Sequence, residues 1–229
     1  MQTKAEVYLL QNGIYQCKSC VPIVKIKADG QDQIVAANPH YDALSVKVLD
    51  DRSIEETEKK AGKVLAASKM IVSPDGGSAT FEFTDNSPTN GDPITGKGGM
   101  VRVGKAKLPA GAHVISGSWR VSKMESLSDN ALTFTLKVEG DTLTMTNPTG
   151  QSYSAKLDGT DAPYKGDLVV SSVSVRRLSD RTFEETDKRE GKPIRVKRMM
   201  IDPADLKTVS TIVTDNLTGS SMLLVATKQ

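Results

Sequence analysis

The chain has 229 residues, with 30 Lys and Arg against 28 Asp and Glu, a net charge of +2. That length suits one large domain or two small ones, and the near-neutral charge leaves no basic arm for a polyanion. Aromatics at 4% are too sparse for base-stacking platforms or for the girdles of a membrane barrel, so neither nucleic acid nor membrane spanning is expected.

Met1-Gln2-Thr3-Lys4-Ala5-Glu6 has neither the apolar stretch nor the cleavage site of a signal peptide. Either the chain is cytosolic or a signal was removed ahead of this numbering. The longest apolar runs, such as Met222–Ala226, fall far short of the ~20 residues of a membrane-spanning helix. Asn12-Gly13 signals a hairpin, and the only cysteines, Cys17 and Cys20, follow it. A redox pair wants its first Cys at a helix N-terminus, and a zinc site wants four ligands, for which only His40 and His113 could join. A local disulfide, or two idle thiols, is the expectation. No metal and no cofactor are expected.

From Lys27 the sequence repeats. Lys27–Lys63 and Lys156–Lys192 match without a gap at 15 of 37 positions, most densely in Asp51-Arg52-Ser53-Ile54-Glu55-Glu56-Thr57-Glu58-Lys59 against Asp180-Arg181-Thr182-Phe183-Glu184-Glu185-Thr186-Asp187-Lys188. The chain therefore reads as two copies of one unit, too long and too few for a solenoid. Apolar residues fall at every second position in Leu44, Val46 and Val48, in Ala79, Phe81 and Phe83, and in Leu132, Phe134, Leu136 and Val138. That is the period of a strand with one buried face. Turn signals such as Pro74-Asp75-Gly76, Gly140-Asp141 and Asp158-Gly159 join the strands into an antiparallel meander. The second copy reads as strands near 117–123, 131–139, 141–147, 151–157, 169–178, 181–189, 193–201, 208–214 and 221–227. The first copy lacks room for its opening strand, which is missing or displaced. Residues 104–116 read as the linker, giving a first repeat over 1–112 and a second over 113–229.

Candidate chemistry is thin. Gly91-Asp92-Pro93-Ile94-Thr95-Gly96-Lys97 has the spacing of a phosphate loop, but Gly98 follows where Ser or Thr should hold magnesium, and a strand follows where a helix should start. Glu55-Glu56 and Glu184-Glu185 point to opposite faces of a strand and cannot bracket one bond. They read as solvated strands alternating in charge with Lys59-Lys60 and Lys188-Arg189. Arg176, Arg177, Arg195, Lys197 and Arg198 read as a solvated exterior. No Gly-x-Ser-x-Gly elbow accompanies the two histidines, so no catalytic residue is named and no enzyme is expected.

Gly117-Ser118-Trp119-Arg120 opens the second copy, and here the chain resembles lipocalin-type barrels, whose first strand begins Gly-x-Trp. The resemblance implies that Trp119 closes one barrel end beneath an Arg of a late strand, although Ser220–Lys228 holds no Arg. Cys17-Lys18-Ser19-Cys20, Lys27-Ala28-Asp29-Gly30, Pro148-Thr149-Gly150-Gln151-Ser152-Tyr153 and Glu184–Lys188 also resemble small exported bacterial proteins of unassigned function. Those carry a Gly-x-Trp strand before the region matching Val7-Tyr8-Leu9-Leu10. The resemblance implies a periplasmic or secreted location and no activity.

The expected architecture is all-β: two tandem lipocalin-like antiparallel meanders forming barrels or half-barrels, with one fused barrel or a sandwich as the alternative. The expected function is a non-catalytic cell-envelope protein holding a small apolar ligand between Phe134, Leu136, Met145 and Tyr153. The alternative is a structural or protein-interaction module whose interior those side chains simply fill.

Overall fold

Two-residue turns with both central residues at positive φ match the twist of adjoining strands. Ala61-Gly62 (φ 49° and 76°) and Glu190-Gly191 (49° and 77°) are such turns, each in a hairpin of like sequence. The computed structural model describes residues 3–104 and 108–228. Met1, Gln2, Gln229 and residues 105–107 of the expected linker lie outside the described residues.

In chain order the first strands are β1 (Glu6–Gln11), β2 (Ile14–Cys17), β3 (Val24–Lys27), β4 (Gln33–Ile34), β5 (Ala43–Asp50), β6 (Ser53–Lys60), β7 (Lys63–Val72), β8 (Ser78–Asp85), β9 (Ile94–Val103) and β10 (Gly117–Leu127). They form one antiparallel sheet, ordered β3-β2-β1-β10-β9-β8-β7-β6-β5-β4, that curls into a nearly closed barrel. A side chain joins its two edges: Lys27 N donates to Gln33 Oε1 at 3.1 Å, and Gln33 Nε2 donates to Lys27 O at 2.8 Å.

After a 3-10 turn at Asp129–Ala131 come β11 (Thr135–Glu139), β12 (Thr142–Thr146), β13 (Ser152–Lys156), β14 (Asp158–Pro163), β15 (Ser172–Ser179), β16 (Thr182–Arg189), β17 (Lys192–Ile201), β18 (Thr208–Asp215) and β19 (Ser221–Thr227). A three-stranded sheet, β11-β12-β13, and a six-stranded meander, β14 to β19, share a core that includes Leu143, Met145, Tyr153, Val175, Phe183 and Met199. β5, β6 and β7 stand 129 residues before β15, β16 and β17 at both ends, and β8 stands 130 before β18.

The chain divides into an N-terminal unit, Lys4–Ser87 with Pro93–Ser128, and a C-terminal unit comprising Thr3, Pro88–Asp92 and 129–228. The sequence reading puts the boundary near Ala112 and lets Gly117-Ser118-Trp119 open the second copy. Instead β10 pairs with β1 through Glu6↔Trp119 and with β9 through Trp119↔Arg102, so the main division falls after Ser128. Packing explains the difference. Trp119 is fully buried, its Nε1 donates to Ile115 O at 2.7 Å, and the Arg102 guanidinium lies 4.1 Å from the ring centroid.

Candidate functional site

The inner face of each meander carries charge as well as hydrocarbon. In β6 the buried Ile54 fixes the inward side, and alternation carries Glu56 and Glu58 to that side. Register sets Val46, Glu56, Ser68, Phe83 and Gly96 in one row and Leu44, Glu58, Ala66 and Asp85 in the next. Tyr8 and Tyr15 stack nearby, with ring centroids 5.9 Å apart. The Tyr8 hydroxyl donates to Glu6 Oε2, and the Tyr15 hydroxyl to Glu56. Burial pushes Glu56 up to about 7 against the opposing pull of Tyr15, and Glu6 adds to the rise. Glu58 is likewise pushed up to about 7, by burial and then by Glu56 and Asp85. Burial, with these carboxylates, also raises both tyrosines. Among the described residues neither Glu56 nor Glu58 forms an ion pair with a Lys or Arg.

The C-terminal unit repeats the row with different chemistry. Phe183 fixes the inward side of β16, which puts Glu185 and Asp187 inside, 3% and 0% exposed. Opposite these carboxylates stand Lys197 and Arg195, whereas Ser68 and Ala66 stand opposite Glu56 and Glu58. Lys197 Nζ lies 2.6 Å from Glu185 Oε1 and 3.2 Å from Asp187 Oδ2, and Arg195 Nε lies 2.7 Å from the same Oδ2. The Tyr153 hydroxyl donates to Glu185 Oε2 at 2.6 Å. Burial favours the neutral acid in both carboxyls. At Asp187 the cations Lys197 and Arg195 outweigh it and hold that group below the usual range, whereas Glu185, beside Asp187, stays raised. Burial would lower Lys197, but the two carboxylates outweigh it and keep the ammonium charged. Two buried acids are thus balanced by the largely buried Lys197 and the half-exposed Arg195.

Leu136, Met145 and Tyr153 lie in one cross-strand row facing the core. Met145 and Tyr153 are 7% and 3% exposed, Leu136 packs on them from the edge, and Phe134 is exposed ahead of β11. Cys17 and Cys20 are joined in a disulfide at the end of β2. Gly91-Asp92-Pro93 is a loop running into β9, with Gly91 so close to Thr149 that a Cβ would stand 2.7 Å from its Cα. His113 Nε2 meets Asp50 O at 2.7 Å. Among the described residues no group of three His, Cys, Asp or Glu side chains could hold a metal ion.

Two readings of charge are corrected. Glu56 and Glu185 are interior, and only Glu55 and Glu184 face out; Lys197 points inward, Arg195 reaches Asp187 from a side chain 41% exposed, and Arg198 joins an exterior row, Arg176-Glu184-Arg198. A signal existed: Ile54 and Phe183 stand two residues before Glu56 and Glu185, on the same strand face. An open depression of about 580 Å³ in the N-terminal unit is lined by Ser68, Phe83, Gly96 and Leu127, with Glu82 and Lys97 at its rim. The fold and interiors define an all-β protein of antiparallel meanders around a nearly closed barrel. No protein family, curated protein or solved structure matches the chain.

Proposed function

We infer that this chain is a non-catalytic, exported protein of two lipocalin-like units related by internal duplication, acting through protein contact and not by carrying a small apolar ligand. The observation that carries the reading is the filled C-terminal interior. Met145 and Tyr153, the candidate lining of a pocket, are packed against Val175, Phe183 and Met199, and the Tyr153 hydroxyl is engaged by Glu185. A barrel of about eight strands has room for little beyond its own side chains.

Duplication is supported by the matching strand bounds and by an exchange of bulk between paired strands. In the N-terminal unit Phe81 and Phe83 lie opposite Gly98 and Gly96, where an added Cβ would come within 2.5 Å of either ring. At the corresponding pairs Thr211 and Val213 lie opposite Leu224 and Met222, so large and small have changed sides. The guanidinium of Arg102 over Trp119 supports the lipocalin likeness. The Cys17–Cys20 disulfide favours an oxidising compartment.

Native mass spectrometry of protein purified from its own host tests this. A mass equal to the bare chain with one disulfide is expected, and a retained lipid-like mass would overturn the reading.

A further inference from the structure

Rows of acid, cation and acid cross the C-terminal meander. Asp187, Arg195 and Asp215 stand in register on β16, β17 and β18, and Glu185, Lys197 and Val213 form the next row. The middle strand supplies the cations, with Arg195 Nε 2.7 Å from Asp187 Oδ2 and Lys197 Nζ 2.6 Å from Glu185 Oε1.

In the N-terminal unit a row of the same kind lacks its middle member. Glu58, Ala66 and Asp85 stand in register on β6, β7 and β8, beside the row Glu56, Ser68 and Phe83. Glu58 and Asp85 flank Ala66 on either side, a span of roughly 10 Å between their strands. Asp85 is anchored through Oδ1, which accepts from Ser87 N at 2.8 Å. The charged neighbours of Glu58 are the acids Glu56 and Asp85. Both glutamates keep partial exposure, so the row is open to solvent. Beside it Phe83 and Leu127 meet over Gly96, where an added Cβ would come 2.5 Å from the Phe83 ring and 3.2 Å from Leu127 Cδ1.

A second observation points to the same place. Tyr41, just ahead of β5, is 6% exposed, and its hydroxyl has no hydrogen-bond partner among the described residues. Burial raises it, and then the nearness of Glu58 and Glu56, so the phenol sits among these acids and donates to neither. A buried hydroxyl without a partner is costly, and an N–H entering the row would give it one.

We propose that Glu58, Asp85 and Tyr41, with Glu56 beside them, bind the ammonium head of a primary alkylamine whose methylenes lie along Phe83. An ammonium has three N–H donors, one for each carboxylate of the row and one for the Tyr41 oxygen. It stands over Ala66, between Glu58 and Asp85, as Arg195 stands between Asp187 and Asp215. The titratable groups facing it are Glu6, Glu56, Glu58, Asp85, Tyr8, Tyr15 and Tyr41, so it meets no like charge among the described residues. This goes beyond the reading of the filled C-terminal interior and does not depend on it. A lipid-like mass would end that reading and leave this site untouched, and a failed amine titration would do the reverse.

The test titrates n-butylammonium into the full chain at pH 8 by calorimetry, since a small amine in exchange with solvent leaves during purification. One saturable site per chain is expected. Tetramethylammonium, which carries the charge without N–H donors, should bind at least about tenfold more weakly. Glu58→Gln and Tyr41→Phe should each weaken butylammonium binding about tenfold and leave Trp119 fluorescence unchanged. Ala66→Arg should fill the row from within and abolish binding. Nα-acetyl-lysine methylamide separates two sources of the head: binding equal to butylammonium assigns it to a lysine offered by another protein, and much weaker binding assigns it to a free amine. In the unaltered chain, saturating butylammonium should also move the carbon-13 titration of the Glu58 carboxyl to lower pH, because a cation beside it favours the carboxylate. No saturable binding, equal binding of tetramethylammonium, or an unmoved Glu58 titration would each overturn the site.

Discussion

The two interiors start from the same carboxylates and neutralise them in different ways. Glu56 and Glu58 face Ser68 and Ala66, whereas Glu185 and Asp187 face Lys197 and Arg195. One unit tolerates buried acid by letting it keep its proton, which is why both carboxyls are pushed up to about 7. The other tolerates it by pairing the acids with Lys197 and Arg195, which reach in from the rim of the interior with side chains 22% and 41% exposed. The neighbours differ: Lys197 lies in a row with Val213, whereas Ser68 lies in a row with Phe83. The difference teaches that strands of like sequence can carry inward acids among unlike neighbours, provided each charge is either removed or paired.

The largest effect should come from breaking the paired interior. Lys197→Met leaves Glu185 and Asp187 sharing Arg195 alone, and should cost the C-terminal unit ~3–5 kcal/mol, read by hydrogen exchange of its core amides in β16 and β17. An unchanged exchange rate would mean that the ion pairs are not what holds the carboxylates inside.

Opposite pH responses follow next. Glu56 and Glu58 titrate higher in the fold than in the unfolded chain, so their stabilising contribution is complete below the ordinary Glu range. It is lost as pH rises through about 7, at up to roughly 1.4 kcal/mol per pH unit for each group before solvent screening. Asp187 is held low, so its contribution is present at neutral pH and lost as pH falls through its depressed range. Trp119, the only tryptophan, reports the N-terminal unit by fluorescence. Its unfolding midpoint in urea should rise from pH 8 to pH 5, while the protection of amides in β16 and β17, relative to their intrinsic exchange rates, should fall below that. Slopes of one sign in both units would break the comparison.

A smaller effect should come from converting one interior into the other. Ser68→Lys combined with Phe83→Val supplies both the cation and the space, and should flatten the pH dependence of Trp119 unfolding between pH 5 and 8, a gain of roughly 1 kcal/mol at the alkaline end. The smallest belongs to the exterior: Arg198→Ala removes a 2.7 Å contact with Glu184 from a side chain 53% exposed, and should change stability by under about 0.5 kcal/mol.

Much of the fold was legible because a strand with one buried face writes its period into the sequence. Lys192–Ile201, Thr208–Asp215 and Ser221–Thr227 fall where alternation and turn glycines put them. Gly117-Ser118-Trp119 was equally legible as a strand start, but its partners β1 and β9 are set by contacts remote in sequence, which local pattern does not reveal. For the same reason the N-terminal unit, where a strand was expected to be missing or displaced, holds β10, and in the C-terminal unit β11 and β19 are edge strands among the described residues. The interior charges were hidden by composition. Glu-Glu-Thr-Glu-Lys-Lys reads as solvated until Ile54 is used to fix the face, and nothing local says that Ser68 replaces Lys197.

The most direct test is a carbon-detected NMR titration of the four carboxyls in the intact chain. Glu56 and Glu58 should titrate near pH 7, and Asp187 below the ordinary carboxylate range. Glu56 titrating like an exposed glutamate, or Asp187 titrating above it, would contradict the account.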